Sequence, residues 1–293
     1  ENPYQIVLTA LQVSEEFLRE QGIPCQGYYS VTIQSELDDQ DSGTKYGLGS
    51  SGAVTVATVE AILLYYGYEL DPLLVFKLSV LTQARLNMTG SHGDLAASSF
   101  RGLVAYYSLD KSWLSEQMSV QGLSNLLASD WKDLQIKQIG LPAPLELLVG
   151  WTGSAASTTH LVSHMESKKT QQSKEEIYSQ FLNDSKVCVE QLIWACQNRD
   201  IPCIKQAVTR NRYLLRKFSE DMCLTIETPL LTELCDSAEA NGAVAKSSGA
   251  GGGDCGICLV DSQEQKEAIQ IIWEQAGIFP LPLTIAERNK ERI

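Results

Sequence analysis

The sequence predicts an α+β protein of two domains, and three observations carry that reading. The chain has 293 residues and is 44% apolar, enough material for two ordinary cores. Its apolar residues recur now at helical spacing, now at strand alternation. Tryptophan and proline punctuation from Trp131 to Pro144 falls near the middle, which divides the chain into domains 1–143 and 144–293.

Taken in order, Pro3 to about Glu20 shows helical spacing through Ile6, Val7, Ala10, Leu11, Phe17 and Leu18, and Gly22 and Pro24 close it. Tyr28 to Ser35 alternates Tyr29, Val31 and Ile33 with polar neighbours, which predicts a strand, and the acidic stretch Glu36 to Asp41 reads as a solvated turn. Ala53 to Tyr66 is apolar nearly all round and predicts a buried helix. Asp71-Pro72 is a cap followed by proline and opens a helix to about Leu86. A polar loop, a short helix from Asp94 and a strand at Leu103 to Tyr107 follow.

Past the boundary, Leu145 to Trp151 predicts a strand. Helices are expected at Ser173 to Asn198, at Ile201 to Ser219 and at Thr228 to Asn241, the last stopped by Gly242. Strands at Ala243 to Lys246, Cys255 to Val260 and Ile278 to Ile285, with a helix at Gln263 to Ala276, complete the chain.

The formal net charge of −13 excludes a nucleic-acid binder, which needs a dense basic face. Any phosphate must then be held locally, by glycine loops and helix N-termini whose N–H groups bind anions without a basic surface. No run of 18 apolar residues and no leader pattern is present, so the cytoplasm is the expected location. Eight scattered cysteines in a chain this large are expected to be free thiols. The chain begins at Glu1 inside a helical pattern, so a preceding segment is expected.

Two glycine loops stand out. Gly47-Leu48-Gly49-Ser50-Ser51-Gly52 fits GxGxxG, but the dinucleotide context fails, because a polar turn precedes it and a second helix follows. A Walker A loop fails too, since Ala53-Val54 stands where Lys-Ser or Lys-Thr is required. What remains is a serine-rich helix N-terminus suited to a nucleotide phosphate, with the Ser50 or Ser51 hydroxyl available to ligate Mg²⁺ or to cap the helix. A plain N-cap with tight packing is the bland alternative. The second loop is Lys246-Ser247-Ser248-Gly249-Ala250-Gly251-Gly252-Gly253-Asp254. Four glycines in the five residues from Gly249 to Gly253 cost backbone entropy, and a closely approaching ligand explains them better than a flexible linker.

These residues resemble a known superfamily, that of galactokinase, homoserine kinase, mevalonate kinase and phosphomevalonate kinase. Gly47 to Gly52 resembles its second motif and Lys246 to Asp254 its third. Lys45-Tyr46 and Gly251-Gly252-Gly253-Asp254-Cys255-Gly256 look like the bacterial phosphomevalonate kinases, and Gly150-Trp151-Thr152 and Ser157-Thr158-Thr159-His160 extend the likeness over the whole chain. The resemblance implies a ribosomal-protein-S5-like N-terminal domain and a ferredoxin-like C-terminal domain, with ATP and Mg²⁺ as cofactors and phosphomevalonate as acceptor. It implies that Lys45, Gly47, Leu48, Gly49, Ser50, Ser51 and Gly52 hold ATP, and that Ser51 and Asp94 hold the metal. Ser91, Ser157, Thr159, His160, Lys246, Ser247, Ser248, Gly249, Ala250 and Gly251 are its expected acceptor contacts. The superfamily's first motif is expected before Glu1, and Lys45 or Lys246 is expected to supply local positive charge.

Gly90-Ser91-His92-Gly93-Asp94 is similar to the segment that carries the superfamily's catalytic aspartate, which marks Asp94, with Ser91 beside it, as the catalytic candidates. A simple helix N-cap is the alternative for Asp94, and His92 reads equally as turn residue or ligand. A phosphate acceptor has a second pKa near 6 and needs no strong base, so Asp94 is expected to orient more than to abstract a proton. His160 and His164 lack a third zinc ligand, and Cys255 and Cys258 lie on one predicted strand facing opposite sides. Trp151, Trp194 and Trp273 read as core or interface aromatics. Three alternatives remain open: mevalonate kinase or another kinase of the superfamily, a non-catalytic ATP or metabolite sensor, and a dinucleotide-binding oxidoreductase.

Overall fold

A computed structural model describes residues 4–39, 42–153, 171–249 and 251–286. The chain forms two compact units. One holds the described parts of Glu1–Gln34, Gly49–Ile139 and Ala286–Ile293, and the other the described parts of Ser35–Leu48 and Gly140–Ile285.

The first unit is mainly helical. Helix α1 (Gln5–Glu20) buries Val7, Ala10, Val13, Phe17 and Leu18, one stripe of a 3.6-residue period. Helix α2 (Ser50–Tyr65) packs beside it and buries Val56, Val59, Ile62 and Leu63. It is less enclosed than its composition suggests, since Leu64 is 57% and Tyr65 61% exposed. Helix α3 (Pro72–Arg85) starts where expected, with Asp71 Oδ2 accepting from the Leu74 N–H at 2.9 Å and proline in the first turn. Its Lys77 is buried, and its ammonium donates to the carbonyls of Leu127 (2.9 Å) and Ser129 (2.7 Å) over the Trp131 ring. Those carbonyls close helix α6 (Leu123–Ala128), whose C-terminal end favours a cation. Helix α4 (Gly93–Phe100), strand β1 (Leu103–Tyr107), helix α5 (Lys111–Val120) and strand β2 (Gln135–Ile139) complete the unit, with β1 and β2 antiparallel from Leu103↔Ile139 to Tyr107↔Gln135.

Two expectations change here. Tyr28 to Ser35 forms no strand: no neighbour among the described residues pairs with it, and Tyr28, Val31 and Ile33 are exposed. Alternation marks a strand's faces but does not supply the partner its backbone requires. Conversely, β2 arises in a stretch where Gln135-Ile136-Lys137-Gln138-Ile139 offers too few apolar residues to announce it.

The second unit carries a four-stranded antiparallel sheet of order β4-β5-β3-β6, formed by β3 (Glu146–Trp151), β4 (Val244–Ser247), β5 (Cys255–Val260) and β6 (Phe279–Leu281). Helices α7 (Gln171–Asn198), α8 (Ile201–Met222) and α9 (Pro229–Ala240) lie between β3 and β4 in sequence, and α10 (Gln263–Gln275) between β5 and β6. This βαββαβ order with its crossed pairing is the expected ferredoxin-like arrangement, with extra helices in the first crossover. Gly150 and Gly256 pair across β3 and β5; a Cβ on either would come within 2.8 Å of a Leu234 methyl, and one on Gly150 within 2.9 Å of Trp273. Bare backbone there lets α9 and α10 lie close on the sheet. Cys258 faces this core, with Leu231, Leu234 and Trp273, while Cys255 faces the other side with Val149 and Trp151. All eight cysteines are free thiols. Trp151 and Trp273 are buried as expected, whereas Trp194 is 54% exposed. Among the described residues no helix is long and apolar enough to cross a membrane.

Candidate functional site

The first glycine loop is built from glycines with different tasks. Gly49 adopts φ 77° and serves as N-cap of α2 without any side-chain cap, so the first N–H groups of α2 keep the anion-binding character of a helix start. Ser50 and Ser51 occupy its first two positions, with Ser51 exposed, and Gly52 follows, buried. The backbone of Gly52 is ordinary helix. Its glycine is explained by Asp94: a Cβ there would lie 2.8 Å from Asp94 Cγ and closer still to Oδ2, and one at Gly49 would be 3.2 Å from Asp94 Cβ. The Asp94 carboxylate therefore rests directly on the N-terminal turn of α2.

Asp94 sits in the first turn of α4, solvent-exposed, where the helix dipole favours a carboxylate. The loop before it is fastened at consecutive carbonyls. The Lys111 ammonium donates to the Gly90 carbonyl, and the Tyr106 hydroxyl donates to that of Ser91 at 2.6 Å. Burial, with Asp94 nearby, holds the Tyr106 hydroxyl protonated by raising its pKa, and the Ser91 hydroxyl accepts from the Gly93 N–H at 3.3 Å. His92 is buried at φ 62°, with its Nδ1 lacking a hydrogen-bond partner. Burial, and then the Lys111 charge, depress its pKa against the pull of Asp94, so it favours the neutral ring.

The start of this loop, Lys45 to Leu48, belongs to the second unit. Lys45 is exposed and bridges Asp38 through the backbone. The Tyr46 ring stands edge-on to Trp151 at 5.0 Å, and Leu48 packs on the cluster of Val149, Trp151 and Cys255. The Cys255 thiol, its pKa pushed up to about 12 by burial and by Asp254, donates to the Tyr46 carbonyl at 3.1 Å. Gly47 has φ 73°, and a Cβ there would lie 2.7 Å from Asp254 Cβ, with the carboxyl nearer still. Sequence reasoning gave no role to Tyr106 or Lys111 of the first unit, and none to Asp254 or Cys255 of the second beyond their place at the end of the glycine motif. Asp254-Cys255 directly abut the second glycine run, which was the available signal.

The second loop joins β4 to β5. Lys246 is half-buried and its ammonium donates to the Ser247 carbonyl at 2.6 Å; burial lowers its pKa. It is thus turned inward as the loop is seen here, not a free surface charge. Ser247 is buried, the Ser248 N–H donates to the Cys255 carbonyl at 2.9 Å, and Gly249 is exposed at φ 63°. Gly251 is buried at φ 75°, where a Cβ would be 2.5 Å from the Ile226 carbonyl oxygen, and the Gly252 N–H donates to that oxygen at 2.8 Å. The Asp254 carbonyl accepts from Thr152 at its N–H (2.9 Å) and hydroxyl (3.0 Å). Ser157, Thr159, His160, His164 and Ala250 lie outside the described residues.

The chain is similar to known proteins. The GHMP kinases N terminal domain model matches residues 6–102 and the GHMP kinases C terminal model residues 192–278. A phosphomevalonate kinase of Streptomyces sp. (strain CL190) is 38% identical over 282 residues, 96% of this chain and 74% of that protein. A crystal structure of a Listeria innocua protein superposes with TM-score 0.87 and 34% identity, covering 98% of this chain and 79% of that one. The Streptococcus pneumoniae phosphomevalonate kinase in complex with phosphomevalonate and AMPPNP gives TM-score 0.81 and 33% identity, covering 96% and 81%. The chain belongs to the GHMP kinase family, within its phosphomevalonate kinase branch.

Proposed function

We propose that this protein transfers the γ-phosphoryl group of ATP to phosphomevalonate, giving mevalonate diphosphate and ADP in the mevalonate pathway. The observation that carries the reading is its 33% identity, over 96% of the chain, to a kinase bound to phosphomevalonate and an ATP analogue. On this reading domain 1–143 takes the nucleotide, with the 47–52 loop and the start of α2 on its phosphates, and domain 144–293 takes the acceptor. Ser247, Ser248, Gly249 and Gly251 offer it backbone and hydroxyl groups, joined by Ser157, Thr159, His160 and Ala250. Lys246 shapes the loop from within, and Lys45 supplies an exposed cation.

An oxygen of the acceptor phosphate attacks the γ-phosphorus while the bond from that phosphorus to the β–γ bridging oxygen breaks, and ADP departs with the electron pair. With a second pKa near 6 the acceptor is largely ionised, so no strong base is needed. Asp94, lying against the start of α2 and following a loop whose Gly90 and Ser91 carbonyls are fastened by Lys111 and Tyr106, orients the reacting groups, with Ser91 as a donor to the acceptor. The Asp94 carboxylate and the Ser51 hydroxyl make an all-oxygen donor set of the kind magnesium takes, and Mg²⁺ held there would neutralise phosphate charge. The cytoplasm is the proposed location.

The test is ADP release by the full-length protein with MgATP across acceptors. Release is expected with phosphomevalonate. Release with mevalonate and none with phosphomevalonate would overturn the assignment in favour of a mevalonate kinase, and ATP binding without any ADP formation would favour a sensor.

A further inference from the structure

The second glycine loop rests on a turn that α8 holds in place, and the hold is made by a buried arginine. Arg212 projects from α8 with its side chain only 5% exposed. Its Nε and Nη2 donate to the two oxygens of Glu227 at 3.1 and 2.7 Å, a bidentate pair whose carboxylate is itself 7% exposed. Nη2 also donates to Asp236 at 2.6 Å, and Nη1 pairs with Glu239 at 2.9 Å, both on α9. Glu227 adjoins Ile226, whose carbonyl takes the Gly252 N–H and touches Gly251. A second fastening acts from the other side. The Ser219 hydroxyl of α8 donates to the Leu224 carbonyl at 2.6 Å and accepts from the Ile226 N–H at 3.2 Å. Ile226 is therefore held through its own N–H and through the side chain of its neighbour, which fixes the direction of the carbonyl that the glycine loop uses.

Burying a guanidinium and a carboxylate is a poor route to stability, because well-packed apolar residues of similar size often serve as well or better. What the ions add is direction. We infer that Arg212, acting through Glu227 and the Ile226 carbonyl, is a positioning residue that holds the Gly251–Gly252 backbone in the shape the acceptor requires. The inference rests on the reading that this loop binds the acceptor.

The test compares the full-length wild type with Arg212→Met/Glu227→Leu, which removes both buried charges at once and leaves Asp236 (56% exposed) and Glu239 (37% exposed) able to hydrate. Three quantities are read: amide exchange of the peptide covering 251–253, the urea midpoint, and separate KM values for phosphomevalonate and ATP. The expected result is roughly five- to tenfold faster exchange at 251–253, the factor one weakened hydrogen bond is worth. The acceptor KM should rise by a similar factor, with the ATP KM and the midpoint little changed.

Unchanged exchange at 251–253 overturns the inference. So does faster exchange spread over all of α8 and α9 with a fallen midpoint, which is what a merely structural ion cluster would give. If the double variant does not fold, Ser219→Ala removes the second fastening alone, and the same local exchange and acceptor KM decide the matter in the same way. Faster local exchange with both KM values unchanged also overturns it, by showing that the acceptor ignores the loop's shape. A wild type that releases no ADP with phosphomevalonate would instead sink the proposed reaction, and the exchange readout would still judge the brace.

Discussion

Replacing Gly52 by alanine should separate stability from activity in this enzyme. The residue is in a helical conformation, so a methyl group costs the backbone nothing and raises helix propensity by about 1 kcal/mol. The obstacle is Asp94. The new Cβ would stand 2.8 Å from Asp94 Cγ, whereas ordinary contact begins at 3.4 Å, so the carboxyl carbon must retreat by at least 0.6 Å and its nearer oxygen by more. Asp94 is exposed and can swing away without disturbing the core. The expected outcome is a melting temperature unchanged or raised by about 2 °C, since 1 kcal/mol moves a chain of this size by only that much. Catalysis should respond differently, because misplacing a reacting or orienting group by about 1 Å costs up to ~100-fold. A loss of kcat/KM between about tenfold and 100-fold is expected in a coupled ADP-release assay. A cycle with Asp94→Ala isolates the cause: on that background Gly52→Ala should cost nothing further. Activity within twofold of wild type in the single variant, or an undiminished loss on the Asp94→Ala background, would refute the assignment of Gly52 to making room for Asp94.

Two further outcomes follow from the same contacts. At Gly47 both Ala and Asn should lower stability by about 1–2 kcal/mol, read as a lower urea midpoint at constant m, because φ 73° opposes any side chain and its Cβ meets Asp254; an Asn variant as stable as wild type would show that Asp254 exerts no steric demand. At His92 the folded-state pKa lies below the unfolded value of about 6.5, so the unfolded chain binds more protons as pH falls, and the residue's contribution is present above pH 6.5 and lost below it down to the folded-state pKa. His92→Asn, which tolerates the left-handed backbone, should flatten the stability profile in that acid window by at most about 1.4 kcal/mol per pH unit, and an identical slope in both proteins would exclude His92 as its source.

Much of the fold was legible because its signals are local. Asp71-Pro72 announced α3, Gly242 ended α9, and the apolar run from Cys255 to Val260 gave β5, since caps, stops and apolar runs are written within a few residues. Tyr28 to Ser35 and β2 failed in opposite directions for one reason, that a strand is completed by its partner. The first has the pattern without a partner among the described residues, and the second has Leu103 to Tyr107 beside it without much pattern. In the site, the glycine runs and Asp94 were visible from composition and resemblance. The brace behind them was not. Tyr106, Lys111 and Arg212 act through carbonyls and ion pairs distant in sequence, and nothing in their own neighbourhoods marks them.

The spacing Gly47, Gly49, Gly52 matches a dinucleotide fingerprint, yet the structure gives each glycine a separate cause. Gly47 has a positive φ and, in the second unit, the approach of Asp254. Gly49 has a positive φ and caps α2, while Gly52 has neither and is small only because Asp94 of the first unit lies on it. In the fingerprint the glycines serve a tight turn, a pyrophosphate and the packing of helix on strand. Here at least two of the three yield to carboxylates. The distinction matters for the proposed chemistry, because a carboxylate resting on a helix start repels the phosphate that the same helix start attracts, unless a cation or a hydrogen bond intervenes. On the proposed reaction, a protein of net charge −13 that sets Asp94 at this point gives up some nucleotide affinity in exchange for an orienting acid beside the phosphates. On that reading Gly52, more than either left-handed glycine, is the residue whose identity is tied to phosphoryl transfer rather than to the shape of the chain.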